Sequence, residues 1–514
     1  MPSKRVIWIT AALFFLAVIL RIVPGPRTID DAFITFRYAR NLLAGDGFVF
    51  NPGERVLGTT TPLFTILLSG VGILFGGASA PFPSLAVSIN TLADGISCIL
   101  LFLIGNKLGS RWAGFGAGLA WAVAPFSVTF AIGGLETSVY VLLLIAIFWS
   151  YLERRYEISA FLSALALLTR PDALLLVLPL VIDRLLFATR RGSPYPSWRE
   201  ALLFVIPGLI WGTFAWSYFG SPFPQSVLAK SAAYRLPQFA ALIRFLQHYA
   251  TPFVEHFTFG LAWIGVGLIL YPFLSLLGAG FAFKQKTSTW PFSVFPWLYF
   301  AVFALANPLV FRWYLTPPLP FYFMFVLIGL ERILQQLISW SQSKVRIPRA
   351  AQQTSIVALL VLFPSLLPLN GWTRAPTHGP SGPAPDMAWI ELELLYKEVA
   401  DELHPRLAPE TTLAAGDVGV LGYYTDVQIL DLVGLNSPET SRYFPLPPEQ
   451  YGDFVYAVPA ELILDQLPEY VVLLEIYGRY SLLQNDDFLR SYALVARLDT
   501  QLYESDGLLV YKLK

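Results

Sequence analysis

Two carboxylates and two guanidinium groups fall close together in the stretch Ile29-Asp30-Asp31-Ala32-Phe33-Ile34-Thr35-Phe36-Arg37-Tyr38-Ala39-Arg40-Asn41. On a helix beginning at Asp31, positions 30, 33, 37 and 40 share one face, because offsets of three, seven and ten residues approximate whole turns. Asp30, Phe33, Arg37 and Arg40 would then line one wall. A carboxylate beside guanidinium groups suits group transfer: the acid takes the proton of an attacking hydroxyl while a cation neutralises a departing phosphate. The alignment with Arg37 and Arg40 favours Asp30 over Asp31 as the base. The plainer reading of the same spacing is that Asp30 caps the helix and Asp31 complements its dipole.

Further polar groups recur at the ends of apolar runs: Glu136 in Gly133-Gly134-Leu135-Glu136-Thr137, then Arg170 and Asp172, Gln225 and Lys230, and Arg312-Trp313-Tyr314. Taken singly, ionisable residues at such positions are interfacial anchors. Convergence of Lys230, Arg170 and Arg312 would instead create an anion site fit for a lipid phosphate. His248 and His256, eight residues apart, read as packing or surface residues rather than a metal pair. No residue is assigned as a metal ligand and no cofactor is implied, although a divalent metal is compatible with the carboxylates. The single cysteine, Cys98, lies in an apolar run, so no disulfide forms within the chain. Gly45 and Gly47 are suited to ending the Asp30 helix, and Asn51-Pro52-Gly53-Glu54 has Pro and Gly in the order of a type II turn. Glu54 and Arg55 read as an exposed ion pair.

The elements that must position these groups are mostly membrane spans. Of the 514 residues, 55% are hydrophobic and 14% charged, against about 25% charged in an ordinary soluble domain. Lys plus Arg and Asp plus Glu number 35 each, which gives no net charge to attract nucleic acid. Apolar runs near 6–23, 84–105, 112–132, 136–151, 159–169, 172–188, 201–219, 258–281, 291–308, 313–333 and 353–369 predict about eleven crossings. Lys4 and Arg5 place the N-terminus inside. The basic connections at Lys107 and Arg111, Arg154 and Arg155, Arg190 and Arg191, Lys284 and Lys286, and Lys344, Arg346 and Arg349 then all become cytoplasmic. The C-terminus is expected outside. A full crossing by 62–77 would switch every later basic loop, so that run reads as a re-entrant or interfacial helix.

The resulting layout is a transmembrane domain over 1–370, with a first outer loop at 24–83, a Pro/Gly-rich linker at 371–385 and an extracytoplasmic α/β domain over 386–514. Within it, a helix is expected over 386–403 and strands at Thr411–Ala415, Gln428–Leu432, Tyr470–Leu474 and Leu508–Leu513. In the long outer loop 220–257, Leu236–Tyr249 has the spacing of a helix lying on the membrane. The Asp pair falls just beyond the outer membrane face. Soluble sugar nucleotides are not available there, whereas a flipped lipid-linked donor is.

The run from Asp30 to Leu42, continued by Gly47-Phe48-Val49-Phe50-Asn51-Pro52-Gly53-Glu54-Arg55-Val56, resembles the first outer loop of GT-C membrane glycosyltransferases related to the mycobacterial terminal β-(1→2)-arabinofuranosyltransferase. Gly134-Leu135-Glu136-Thr137, Leu168-Thr169-Arg170-Pro171-Asp172-Ala173, Ala229-Lys230, the run Gly416–Asp426 and Asp431-Leu432-Val433-Gly434-Leu435 follow that family's pattern in order. The resemblance implies a polyprenyl-phosphate sugar donor, a cell-envelope glycan, glycolipid or protein acceptor, and transfer on the outer face of the plasma membrane. It also implies an Asp of the Asp30-Asp31 pair as catalytic base. Arg37, Arg40, Glu136, Arg170, Asp172, Lys230, Arg312 and Tyr314 are the candidate substrate-binding residues. Gly58-Thr59-Thr60-Thr61-Pro62-Leu63 departs from the family's Gly-Tyr-Thr-Ser/Asn type of run, so arabinose is not carried over with the fold. Two other classes compete: a lipid or sugar transporter or flippase, which would place its charges at the bilayer midplane, and a non-catalytic envelope scaffold, in which the Asp pair would be dispensable.

Overall fold

The computed structural model describes residues 4–342 and 350–514; the basic positions Lys344, Arg346 and Arg349 lie outside them. Among the described residues, six helices are long and apolar enough to cross a membrane: Lys4–Ile22, Phe82–Lys107, Trp198–Phe219, Trp263–Gln285, Thr287–Ala306 and Arg312–Trp340. Arg111–Val123 and Pro125–Ile132, bent by 47°, make a seventh if taken as one broken span. The break falls at Pro125, which has no N–H to continue the first helix.

The chain is a multi-pass membrane protein, but the count of about eleven is not reached by length. Thr137–Leu152, Tyr156–Thr169 and Ser355–Gly371 are apolar yet shorter. The run expected to cross at 172–188 divides into the helix Leu174–Ile182, with Pro179 inside, and a π-helical turn, Asp183–Phe187. Pro62–Leu74 has 13 residues, about 20 Å of helix against a hydrocarbon core of about 30 Å.

Two compact units divide the chain. The first comprises Met1–Arg27, Ala86–Leu209 and Phe239–Trp389. Its helices approach through glycine: a Cβ on Gly278 would strike the Phe325 carbonyl, and one on Gly329 the Leu274 carbonyl, the small-residue packing typical of membrane helices. Arg21, the one charge within the first apolar run, is fully buried and bonds Asp94 at 3.0 Å. Asp94 also accepts from Trp121 Nε1 and Ser138 Oγ, while Arg21 donates to the Ala122 carbonyl and Ser127 Oγ. An intramembrane charge pair with its remaining groups bonded meets the cost of burial.

The second unit comprises Thr28–Leu85, Ile210–Gln238 and Ile390–Lys514. It joins the first outer loop to the C-terminal segment, pieces that are remote in sequence. Its centre is a mixed sheet of β1 (Thr412–Ala415), β2 (Gln428–Asp431), β3 (Tyr470–Leu474), β4 (Tyr492–Leu498) and β5 (Leu508–Leu513), ordered β2-β1-β3-β5-β4. β1 runs parallel to β2 and β3, and β5 is antiparallel to β3 and β4. Four strands lie where alternation placed them; β4 is additional. The expected helix at 386–403 begins at Glu391. Asn51 docks the outer loop onto the sheet edge, its amide donating to the Ile429 carbonyl at 2.9 Å and its oxygen accepting from Ile429 N at 3.1 Å.

Candidate functional site

The helix Asp30–Ala44 begins without a side-chain cap at Ile29 and ends at Gly45, whose φ of 95° supplies the left-handed turn. Asp30 does not cap its own helix. Its Oδ2 accepts from Gly419 N at 3.0 Å and its Oδ1 from Val420 N at 2.7 Å, so it holds the start of the short helix Gly419–Thr425. Asp30 is buried; that burial, followed by the nearby charge of Asp417, pushes its carboxyl well above the usual range, against the pull of the two backbone donors. Glu393 Oε1 accepts from the Asp30 backbone N–H at 3.2 Å.

The face shared by Asp30, Phe33, Arg37 and Arg40 is a packing face. Phe33 meets the rings of Tyr423 and Tyr424. Arg37 is fully buried, donates to the Gly422 and Val427 carbonyls at 2.8 and 2.7 Å, and lies over Phe50. Burial, with the Arg40 charge next, draws it down to about 9. Arg40 donates to the Tyr423 carbonyl and pairs with Asp426 at 2.5 Å. The wall read from helical spacing is therefore occupied by protein, not open to a ligand.

Asp31 has a different environment. Its side chain keeps 34% of its surface exposed, and Lys230 Nζ lies 3.8 Å from its Oδ2. Lys230 is brought there by the helix Gln225–Ala233, whose first residue donates its backbone N–H to the Leu57 carbonyl. Asp417, two residues beyond β1, enters the same surroundings and accepts from the Tyr396 hydroxyl at 2.8 Å. Burial first, then Asp31 and Asp431, push its carboxyl up to about 6, with the Tyr396 hydroxyl pulling the other way. Tyr234, Tyr396 and Tyr477 are held in their neutral form by burial and then by the Asp417 charge. Asp417 was not among the candidates read from sequence. The available signal was its position directly after a strand-like run, where sites form in parallel sheets.

In the first unit, Arg170 is buried and shared between two carboxylates. Its Nη1 bonds Glu136 at 2.9 Å, and its Nε and Nη2 bond Asp172 at 3.0 and 3.2 Å. Tyr299 donates to Asp172 at 2.8 Å, and the Arg170 guanidinium lies 4.7 Å from the Tyr314 ring centre. Glu136, Arg170, Asp172 and Tyr314 thus come together, but as a group whose charges already answer one another. Arg312 donates to the Met387 carbonyl at 2.9 Å and lies over Trp389. His248 donates to the Leu315 carbonyl at 2.9 Å and packs edge-on against Phe126, a packing role. Among the described residues no three His, Cys, Asp or Glu are grouped so as to hold a metal ion.

Residues 386–511 match a family described as "Domain of unknown function (DUF8728)". The terminal beta-(1->2)-arabinofuranosyltransferase of Mycobacterium tuberculosis (strain ATCC 25618 / H37Rv) is 32% identical over 227 residues, which are 40% of this chain and 35% of that protein. The match therefore spans about a third of that relative's length. ArnT from Cupriavidus metallidurans, solved with undecaprenyl phosphate bound, is similar with a TM-score of 0.53 at 12% identity, over 98% of this chain and 97% of that one. The oligosaccharyltransferase of Archaeoglobus fulgidus, solved with Zn and sulfate, gives 0.53 at 14% identity, over 98% of this chain and 73% of that one. The fold is the GT-C membrane fold that these structures share.

Proposed function

We propose that the chain is an integral-membrane glycosyltransferase that moves a sugar from a polyprenyl-phosphate donor to an envelope glycan, glycolipid or protein acceptor on the outer membrane face. The observation that carries this reading is the accessible Asp31 carboxylate 3.8 Å from the Lys230 ammonium, set in a GT-C fold. The arabinofuranosyltransferase relative and the undecaprenyl phosphate bound by ArnT support it.

In the proposed step the acceptor hydroxyl gives its proton to Asp31 as its oxygen bonds the anomeric carbon. The bond from that carbon to the donor phosphate oxygen breaks, its electron pair stays on the phosphate, and Lys230 neutralises the charge. Attack opposite the leaving group inverts the anomeric centre. Asp30 clasps the Gly419 helix and so fixes the start of the helix that carries Asp31. Glu136, Arg170 and Asp172, with Tyr299 and Tyr314, form a polar group within the first unit whose charges answer one another, and the phosphate is assigned to Lys230. The basic connections orient the N-terminus to the cytoplasm and the C-terminal segment to the outside.

The test is transfer from a panel of polyprenyl-phosphate pentoses and hexoses by the purified full chain, with the anomeric configuration of the product read by NMR. At least one donor should be consumed with inversion. Lys230→Ala should weaken donor binding about ten- to hundredfold, the loss expected of one charge-assisted contact. Unchanged donor affinity in that variant would remove Lys230 from the phosphate site.

A further inference from the structure

The second unit holds an acidic and aromatic cluster, Asp417 with Tyr234, Tyr396, Tyr456 and Tyr477, that the transfer step above does not use. β1 is flanked by β2 on one side and β3 on the other, all three parallel, and such a reversal of strand order opens a crevice at the carboxyl ends of the strands. Asp417 stands two residues past the end of β1 and Tyr477 three past the end of β3. The ring of Tyr456 lies 5.3 Å from that of Tyr477 and 5.6 Å from that of Tyr234, while its hydroxyl is anchored on the Leu432 carbonyl at 3.0 Å. Tyr396 orients Asp417 through Oδ2, and both Asp417 and Tyr477 remain partly accessible. Three segments distant in sequence, 210–238, 390–403 and 412–477, meet here.

The chemistry of this wall selects its ligand. A carboxylate accepts hydrogen bonds from hydroxyls and repels phosphate, and the apolar faces of tyrosine rings suit the C–H faces of a sugar. With Asp31 as near neighbour, a second anion is unfavourable and a neutral polyol favourable. We infer that Asp417, with Tyr477 and Tyr234 beside it, binds hydroxyls of a neutral sugar of the acceptor and so determines which acceptor hydroxyl reaches Asp31. This assignment rests on the transferase reading and names its acceptor as a neutral glycan at the point of attack.

The experiment uses the full chain in lipid nanodiscs and the methyl glycosides of neutral pentose and hexose disaccharides, with binding read by saturation-transfer NMR. Wild type and Asp31→Asn should both saturate sugar-ring protons of at least one glycoside. Asp417→Asn, which keeps the shape and an oxygen for Tyr396, should weaken that binding about ten- to hundredfold. Tyr477→Ala should do the same with Asp417 intact, which guards against a folding effect of either change alone. In transfer assays Asp417→Asn should raise the acceptor KM by more than it lowers kcat. Binding by Asp417→Asn equal to wild type, an unchanged acceptor KM, or no glycoside bound by wild type overturns the subsite. Sugar binding that depends on Asp417 in a chain that transfers from no donor supports the subsite and contradicts the transferase reading instead.

Discussion

Asp417 carries its proton up to about 6, chiefly because it is buried and then because Asp31 and Asp431 are near. A carboxyl with a raised folded pKa binds its proton more tightly in the folded than in the unfolded chain. The stability it contributes is full below its unfolded value near 4 and is lost as the pH rises through 6. At neutral pH its charge therefore costs stability, on the order of 1 kcal/mol for a group still partly accessible to solvent. Asp417→Asn should raise the melting temperature at pH 7, and the gain should fade as the pH is lowered toward 4, as thermal unfolding at both pH values would register. Asp30 and Asp31 show how far one step along a helix changes what a side chain does. Asp30 has both oxygens on backbone N–H groups, whereas Asp31 faces outward beside Lys230.

The helices Asp30–Ala44 and Gly419–Thr425 form one clasp, and its closeness depends on Gly419. A Cβ there would strike the Asp30 carbonyl oxygen and stand 2.9 Å from Asp30 Oδ2. Gly419→Ala should cost about 1–3 kcal/mol through overpacking and should lower turnover as well, since Asp31 is displaced with the helix. Gly212→Ala, in the Trp198–Phe219 helix with open space around it, should be neutral or stabilising by up to about 1 kcal/mol. Thermal melts of the two variants separate packing from a general intolerance of alanine. At this scale the sequence was legible wherever local chemistry decides. The Asn51–Glu54 turn closes with a 3.1 Å hydrogen bond and Gly53 at φ 89°, and Gly45 ends the Asp30 helix. The strands at 470–474 and 508–513 have the expected bounds. The Glu54–Arg55 pair did not form: Asn51 takes Glu54 and Tyr218 takes Arg55. The partner of the Asp30 face was hidden, because helical period tells which residues share a face and not what that face meets. β4 was hidden too, its outer residues Val495 and Leu494 being half exposed at the sheet edge.

Over the whole molecule, hydropathy identified a polytopic membrane protein; among the described residues six helices, or seven with the bent pair, have the length to cross, and the other apolar runs form shorter or broken helices. The GT-C fold was legible through motifs, whereas the union of the first outer loop with the C-terminal sheet in one unit depends on contacts far apart in sequence. Orientation can be tested without reference to the number of spans. With an impermeant thiol reagent on intact cells, Ser381→Cys and Asn106→Cys, both at exposed positions, separate the two sides: Ser381→Cys should label and Asn106→Cys, beside Lys107, should label only after permeabilisation. Labelling at Asn106→Cys in intact cells would reverse the assignment of sides.

The central claim is that Asp31 is the general base and Asp30 its structural neighbour. Asparagine keeps the size and an acceptor oxygen but takes no proton at neutral pH, so turnover per folded enzyme at saturating donor, measured for Asp31→Asn and Asp30→Asn, tests it most directly. Asp31→Asn should fold and bind donor while losing roughly 10²–10⁴-fold in turnover, the usual contribution of acid–base catalysis. Asp30→Asn should act through stability, with a lower melting temperature and a smaller loss of turnover. Near wild-type turnover in Asp31→Asn would contradict the account.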